Sequence, residues 1–288
     1  MLTGTHTLSS PNRIAVGDYL RHWRKLRRRS QQDLALEAEL STRHLSCVET
    51  GKSNPSRELV LRLCERLSVP LRERNAWLVA AGYAPLYREQ QLGAPDMHTA
   101  CKAVQHLLDQ HTPWPAVAFD RHWNLVLAND MVQPLLLDGV DPILLTPPIN
   151  LLRVSLHPLG LATRILNLGQ WRAHLFLRLQ QQVQMTCDPT LKALLSEVKA
   201  YPAPSTGPPL ALGVEHPGVF VPFIVQTPFG ILNLITTTTV FGSPTDITLQ
   251  ELALETLIPG DEATAQLLRK LSTTLPRAQS RLAPAGMA

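Results

Sequence analysis

The stretch "LSTRHLSCVETGKSNPS", Leu40 to Ser56, sets a Ser, an Arg, a Cys and a Glu in one short helical segment that stops at a Gly. A helix from Thr42 to Thr50 buries Leu45 and Val48 and turns Thr42, Arg43, Ser46 and Cys47 outward. Gly51 suits the left-handed position just past a helix end. Such a helix is either ordinary core or a surface built to be read, and its neighbours decide which.

Upstream, "VGDYLRHWRKLRRRSQQDLALEAEL" opens with Val16, Leu20, Trp23 and Leu26 at steps of four, three and three, the period of an amphipathic helix. Six basic residues lie between Arg21 and Arg29. Ser30 followed by Asp33 has the spacing of a capping box and starts a second helix, whose Leu34, Ala35 and Ala38 face inward. Downstream of Pro55, a fourth helix carries Val60, Leu63, Cys64 and Leu67 on one face, and "PLRERNAWLVAAGYAP" supplies a fifth, ended by Gly82 and Pro85. A basic first helix, short successors and a small Ala at a close approach describe a helix-turn-helix unit, with the opening stretch as its recognition helix.

Charge agrees with that reading. Residues 1–90 hold 15 Lys and Arg against 9 Asp and Glu, whereas residues 91–288 hold 12 against 14. A basic front and a mildly acidic back point to a polyanion partner for the front alone.

The string S-Q-x-x-L-A-x-x-A-x-L-S-x-x-x-L-S-x-V-E-x-G, carried by Ser30 to Gly51, resembles the Xre, or phage-repressor-like, helix-turn-helix family. The resemblance implies that Gln31 touches DNA phosphate, with Gln32 beside it and Ser41 at the head of the recognition helix as further DNA contacts. It also implies an ion pair between Arg24 in the first helix and Glu49 in the third. Arg43 either reads guanine bidentately or touches phosphate. Lys52, Asn54 and Arg57 read as contacts to the DNA backbone. Cys47 is a small contact residue or a thiol sensor. In one respect the sequence departs from the family: Glu39 stands in the turn that usually holds Gly, and a left-handed backbone there costs a residue with Cβ on the order of 1 kcal/mol.

With 288 residues the chain is long enough for two domains at about 100 to 200 residues each. "PLYREQQLGAPDM" is the linker, which gives a tail over 1–12, a DNA-binding domain over 13–92, a second domain over 96–275 and a tail over 276–288. In the second domain "TACKAVQHLLDQHTPWP" is helical up to Pro113. In "PAVAFDRHWNLVLAND", Trp123, Leu125 and Leu127 alternate with Asn124, Val126 and Ala128, a strand after a turn at Asp120 to His122, and Asn129 or Asp130 caps the following helix. "GVFVPFIVQT" and "GILNLITTTTVFG" form a second hairpin about Thr227 to Gly230, residues 143–200 are mostly helical, and "ITLQELALETLIP" is either strand or helix. The expected fold class is α+β, five helices followed by a PAS-like domain with a small antiparallel sheet.

Asn150-Leu151-Leu152-Arg153, His157-Pro158, Arg164 with Trp171 seven residues on, Asp188-Pro189 and the distal "TTVFGSPTDITLQELALETLIPGDEAT" resemble the MmyB-like ligand-binding domain found behind Xre-type units in bacterial regulators. That implies a PAS-like domain that binds a small apolar molecule, fatty acids being the ligand class of the family. A carboxylate needs a cation, and Arg153, Arg164 and Arg172 are candidates, with His157, His174 and Trp171 near them.

Other functions find no support. There is no G-x-S-x-G, no phosphate-cradling G-x-x-x-x-G-K-[ST] and no H-E-x-x-H, so an enzyme is not expected. Neither Cys47, Cys64, Cys101 and Cys187 nor His98, His106 and His111 have metal-ligand spacing. No run reaches the roughly 20 apolar residues of a membrane span, and the N-terminus does not read as a secretory signal. The expectation is a cytoplasmic regulator that binds double-stranded DNA as a homodimer, senses a small apolar effector and needs no cofactor; the alternative is a helix-turn-helix DNA-binding protein whose C-terminal domain only dimerises and binds no effector.

Overall fold

The computed structural model describes residues 15–202, 221–241 and 246–274. The tails expected at 1–12 and 276–288, and parts of the second hairpin's approach and of the distal family-like stretch, lie outside the described residues. The chain divides into two compact units, the first made of the residues up to Glu89 together with the short segment 245–247 and the second of the rest.

The first unit is five helices: α1 (Val16–Leu26), α2 (Gln31–Glu37), α3 (Thr42–Glu49), α4 (Arg57–Arg66) and α5 (Leu71–Ala80). Their apolar faces meet in one core around Leu20, Trp23, Leu34, Leu45, Val48, Leu63 and Trp77. Starts are fixed by side chains: Ser30 and Asp33 form a reciprocal capping box, Ser41 accepts from His44 N–H and Ser56 from Leu59 N–H. The turn between α2 and α3 is left-handed, with Glu39 at φ 56°, so the strain foreseen for that residue is present and is held by the packing of Ala35, Ala38 and Leu45 on either side.

Helix α1 crosses the end of α3 at Gly17. A Cβ there would lie 2.6 Å from the carbonyl oxygens of both Val48 and Glu49, backbone that cannot swing aside. Ala gains about 1 kcal/mol over Gly in helix propensity, but forcing two packed helices apart costs about 1 to 3 kcal/mol, so the clash wins. Gly17→Ala is expected to lower the melting temperature of the protein; an unchanged or raised value would show that the crossing yields without cost.

The second unit begins with α6 (His98–Gln110) and holds an antiparallel sheet of five strands in the order β2-β1-β5-β4-β3. These are β1 (Ala116–Phe119), β2 (Leu125–Ala128), β3 (Phe223–Thr227), β4 (Gly230–Val240) and β5 (Ala253–Pro259). Between β2 and β3 run α7 (Leu151–Leu156), α8 (Leu168–Thr186) and α9 (Pro189–Ala200); α10 (Ile247–Gln250) is a single turn before β5, and α11 (Glu262–Thr274) follows it. The ambiguous "ITLQELALETLIP" is thus both, a turn of helix and then the central strand. With the helical first unit, the architecture is α+β.

Helices cover both faces of this sheet. Val117, Phe119, Leu234 and Leu257 pack with α7, α8, α9 and α11, while Ala116, Ala118, Val126 and Leu254 pack with Val104 and Leu108 of α6. Trp123, expected in the strand, is in the turn at φ 67°, and Val126 is buried as well because α6 covers its face. Asn129 caps no helix: its side chain accepts from Ala116 N–H and donates to the carbonyls of Leu108 and Trp114.

Candidate nucleic-acid interface and ligand cavity

The outward side of α3 is Thr42, Arg43 and His44, all exposed, followed by half-buried Ser46 and Cys47. Ser41 accepts the His44 N–H at 3.1 Å and so fixes the first turn. Behind this surface lies Glu49, whose side chain is 2% exposed. Arg24 donates to it through Nε at 2.5 Å and Nη2 at 3.2 Å, and Gln31 Nε2 donates to Oε2 at 2.7 Å. Arg21 Nη2 adds a bond to the Glu49 carbonyl at 2.8 Å. Burial pushes the Glu49 carboxyl up, but the hydrogen bonds from Arg24 and Gln31 and the charges of Arg24 and Arg21 outweigh it and hold the group below the ordinary carboxylate value. One carboxylate thereby ties α1, α2 and α3 together.

The other expected DNA residues divide. Gln32, Lys52 and Arg57 are exposed. Gln31 is half-buried with its amide turned to Glu49, and Asn54 donates to the Ala81 carbonyl at 3.1 Å, so both serve the fold as well. Sequence reasoning passed over His44, although its place after Arg43 on the outward side was readable, and over Arg21, whose bond to α3 only the crossing of α1 reveals.

In the second unit an apolar cavity of about 90 Å³ lies between the sheet and the helices. Trp171, Leu175, Leu152 and Val154 form its helical wall, and Val117, Phe223 and Leu257 its sheet wall. The indole N–H of Trp171 donates to Ser155 Oγ at 2.9 Å, which settles the buried polar group of that ring.

Trp171 is the expected ligand residue that lines this cavity; Arg153, Arg164 and His174 do not. Arg153 holds Glu197 bidentately at 2.8 Å and 2.8 Å, which joins α7 to α9. Arg164 donates to the carbonyls of Gln226, Asp138 and Leu135. Arg172 closes the end of α9 through the carbonyls of Lys199, Tyr201 and Pro202. His174 stacks on Trp171 at 5.5 Å, and burial, helped by the charge of Arg178, lowers its pKa. His157 packs edge-on against Tyr201 at 4.9 Å. The three arginines satisfy carbonyls and a carboxylate of the fold.

The polar group that sequence reasoning missed is Glu255. It lies on the cavity face of the central strand, paired in register with Val117 of β1 and Thr238 of β4, and its side chain is 11% exposed. Arg178 reaches it from α8 at 3.2 Å, donates also to Thr238 Oγ1 at 3.1 Å and lies over the Trp123 ring at 4.7 Å. Burial raises the Glu255 carboxyl above its ordinary value, and the charge and hydrogen bond of Arg178 offset only part of this.

Fold and site together define a class: a helix-turn-helix unit in one chain with a domain shaped to hold a small molecule. Residues 15–77 match the helix-turn-helix domain, and residues 100–271 match the MmyB-like transcription regulator ligand binding domain. The second match spans more than half of the 288 residues, and the chain belongs to that family. It is a regulator of transcription built from a DNA-binding domain and a ligand-binding domain, and neither family is one of enzymes. No curated protein matches the chain. No helix among the described residues is long and apolar enough to cross a membrane.

Proposed function

We propose that this chain is a sequence-specific, Xre-type regulator that acts in the cytoplasm as a homodimer, and that its C-terminal domain adjusts DNA binding in response to a small apolar ligand, a fatty acid being the class the family suggests. The DNA-binding part is residues 13–92 and the sensing part residues 96–275. The observation that supports it best is the single carboxylate of Glu49, which fixes α3 from behind while Thr42, Arg43 and Ser46 face outward from a basic unit. One recognition helix spans only a few base pairs, so two copies on half-sites about 34 to 36 Å apart supply the register that one lacks. A ligand that prefers one arrangement of such a dimer changes DNA affinity by its own differential affinity, and DNA changes ligand affinity by the same factor.

The contact residues are Gln31, Gln32, Ser41, Thr42, Arg43, Ser46 and Cys47, with Lys52, Asn54 and Arg57 on phosphate. The test is to select bound fragments from random DNA and then titrate Arg43→Ala on the selected site. A loss of about 1 to 3 kcal/mol on that site, with non-specific affinity nearly intact, is the expected result for a base contact. Equal losses on both would move Arg43 to the phosphate class, and failure to select any sequence would remove the sequence-specific reading.

A further inference from the structure

On the reading above that the cavity is the sensing site, its wall is apolar except for Glu255 and the hydroxyls of Ser155 and Thr236. Such a wall receives an aliphatic chain, and the polar end of that chain has to lie where polar partners begin. Trp123 marks the place. It lines the cavity and also a neighbouring space of about 320 Å³ that Arg178, Gln182, Met185 and Thr238 help to enclose. Among the described residues that line either space, Arg178 is the only cation.

Arg178 differs from the other arginines near the cavity in its unused donors. A guanidinium carries five N–H groups. Arg178 gives one from Nη1 to Glu255 at 3.2 Å and one from Nη2 to Thr238 Oγ1 at 3.1 Å, which leaves Nε and one hydrogen on each Nη without a partner among the described residues. Arg164 by contrast uses Nε, Nη1 and Nη2 on three carbonyls, Arg172 uses both Nη groups on the end of α9, and Arg153 is held bidentately by Glu197. The position of Arg178 is also fixed in advance. Its guanidinium carbon lies 4.7 Å from the centre of the Trp123 ring, Trp123 stacks on Phe119 at 5.0 Å, and the indole N–H donates to Gln182 Oε1 at 2.8 Å. A donor already held in place loses little freedom when a ligand arrives.

Glu255 does not exhaust this cation. Its contact is a single hydrogen bond at 3.2 Å, long for a charge-assisted one, and burial raises its pKa, which favours the neutral acid. A neutral acid still accepts the Arg178 N–H and offers its own O–H to a ligand oxygen. The Arg178 side chain is 24% exposed against 11% for Glu255, so the guanidinium reaches from the open space to the cavity wall. A planar fork with spare N–H groups matches a carboxylate, which accepts two parallel bonds. An ammonium there would face a like charge, and an alcohol would leave the charge unanswered.

We propose that Arg178 is the residue of the sensing site that receives the ligand's head group: it takes the carboxylate of an aliphatic acid at the passage beside Trp123, with the chain among Trp171, Leu175 and Phe223. Arg153, Arg164, Arg172 and His174, which the sequence singled out, do not hold the carboxylate.

The experiment uses the full-length protein with octanoate, 1-octanol and octylammonium, three probes of equal chain length. Binding is followed by intrinsic fluorescence, since Trp123 and Trp171 form part of the wall, and by calorimetry. Octanoate is expected to bind at least about tenfold more tightly than octylammonium. Arg178→Met keeps an unbranched stem and removes the cation, so it should weaken octanoate at least about tenfold and 1-octanol by no more than about threefold. Arg178→Lys, which restores the charge without the fork, should recover part of the octanoate affinity. Octylammonium binding the wild-type protein as tightly as octanoate would overturn the proposal even if no Arg178 variant folds. A folded Arg178→Met that keeps the octanoate affinity would put the head group elsewhere, and equal losses of octanoate and 1-octanol would make Arg178 no more than a part of the wall; either result sinks the proposal. If none of the three probes binds, the sensing-site reading itself falls, whereas octanoate binding that ignores Arg178 leaves that reading standing and removes this one alone.

Discussion

Glu49→Ala is expected to lower the stability of the helix-turn-helix unit by about 3 to 5 kcal/mol, the cost of removing one partner from a buried ion pair and leaving the other behind. The Glu49 side chain is 2% exposed and that of Arg24 13% exposed, so neither finds water to replace the other. The loss also releases Gln31 and so loosens all three helices at their meeting point. Glu37→Ala is the control: its partner Arg29 is 47% exposed, and a pair of that kind contributes about 0 to 1 kcal/mol. Urea unfolding followed through Trp23 and Trp77, both in this core, measures the two side by side. Similar losses would show that Glu49 is no more than a surface charge. The pH dependence has a fixed sign. Because the folded carboxyl is held below its ordinary value, its contribution is complete above the unfolded carboxylate value and is lost as pH falls through the depressed one. Acid should therefore erase the difference between the wild-type protein and Glu49→Ala.

Much of this unit is legible in the sequence because its determinants are local. Ser30 caps a helix whose third residue is Asp33, Gly51 ends α3 at φ 72°, and even the departure at Glu39 announces a left-handed turn. The strands of the second unit are legible for the same reason: β-branched runs flank a Pro-Phe-Gly turn. Sheet order is not, since β5 enters between β1 and β4 from far along the chain. The roles of the arginines are hidden by the same distance. Arg153 meets Glu197 44 residues on, Arg164 meets Gln226 62 residues on, and Arg178 meets Glu255 77 residues on. A guanidinium in a sequence looks equally suited to a ligand carboxylate, a protein carboxylate or a cluster of carbonyls. Glu255 carries the converse lesson. As one acid in "LALETLIP" it reads as a solvated residue, and only the register with Val117 and Thr238 turns it toward the helices.

The sequence offers Asn129 or Asp130 as a helix cap, yet the buried position of Asn129 gives it a different role, and its loss should cost the second unit dearly. Asn129 is 3% exposed. Its Oδ1 accepts from Ala116 N–H at 3.1 Å, and its Nδ2 donates to the carbonyls of Leu108 at 3.1 Å and Trp114 at 2.8 Å. The last turn of α6, the loop after it and the first residue of β1 thus converge on one amide. Asn129→Ala leaves the buried Ala116 N–H and the half-buried Trp114 carbonyl without this partner, while the Leu108 carbonyl keeps the His111 N–H; each group left unsatisfied costs about 1 to 3 kcal/mol, and water entering the gap recovers part. A net loss of about 2 to 4 kcal/mol is the expected result. Asn129→Asp should not rescue it, because a carboxylate turns an acceptor toward the Leu108 and Trp114 carbonyls. Gln226→Ala, at an exposed position of β3, is the control and should stay within about 0.5 kcal/mol. Hydrogen exchange gives the decisive reading: the Ala116 amide should lose protection in Asn129→Ala, and full protection there would sink the account. The effect should reach the cavity too. Ala116 precedes Val117, which lines the cavity and pairs in register with Glu255, so freeing the start of β1 should weaken binding of any ligand held there.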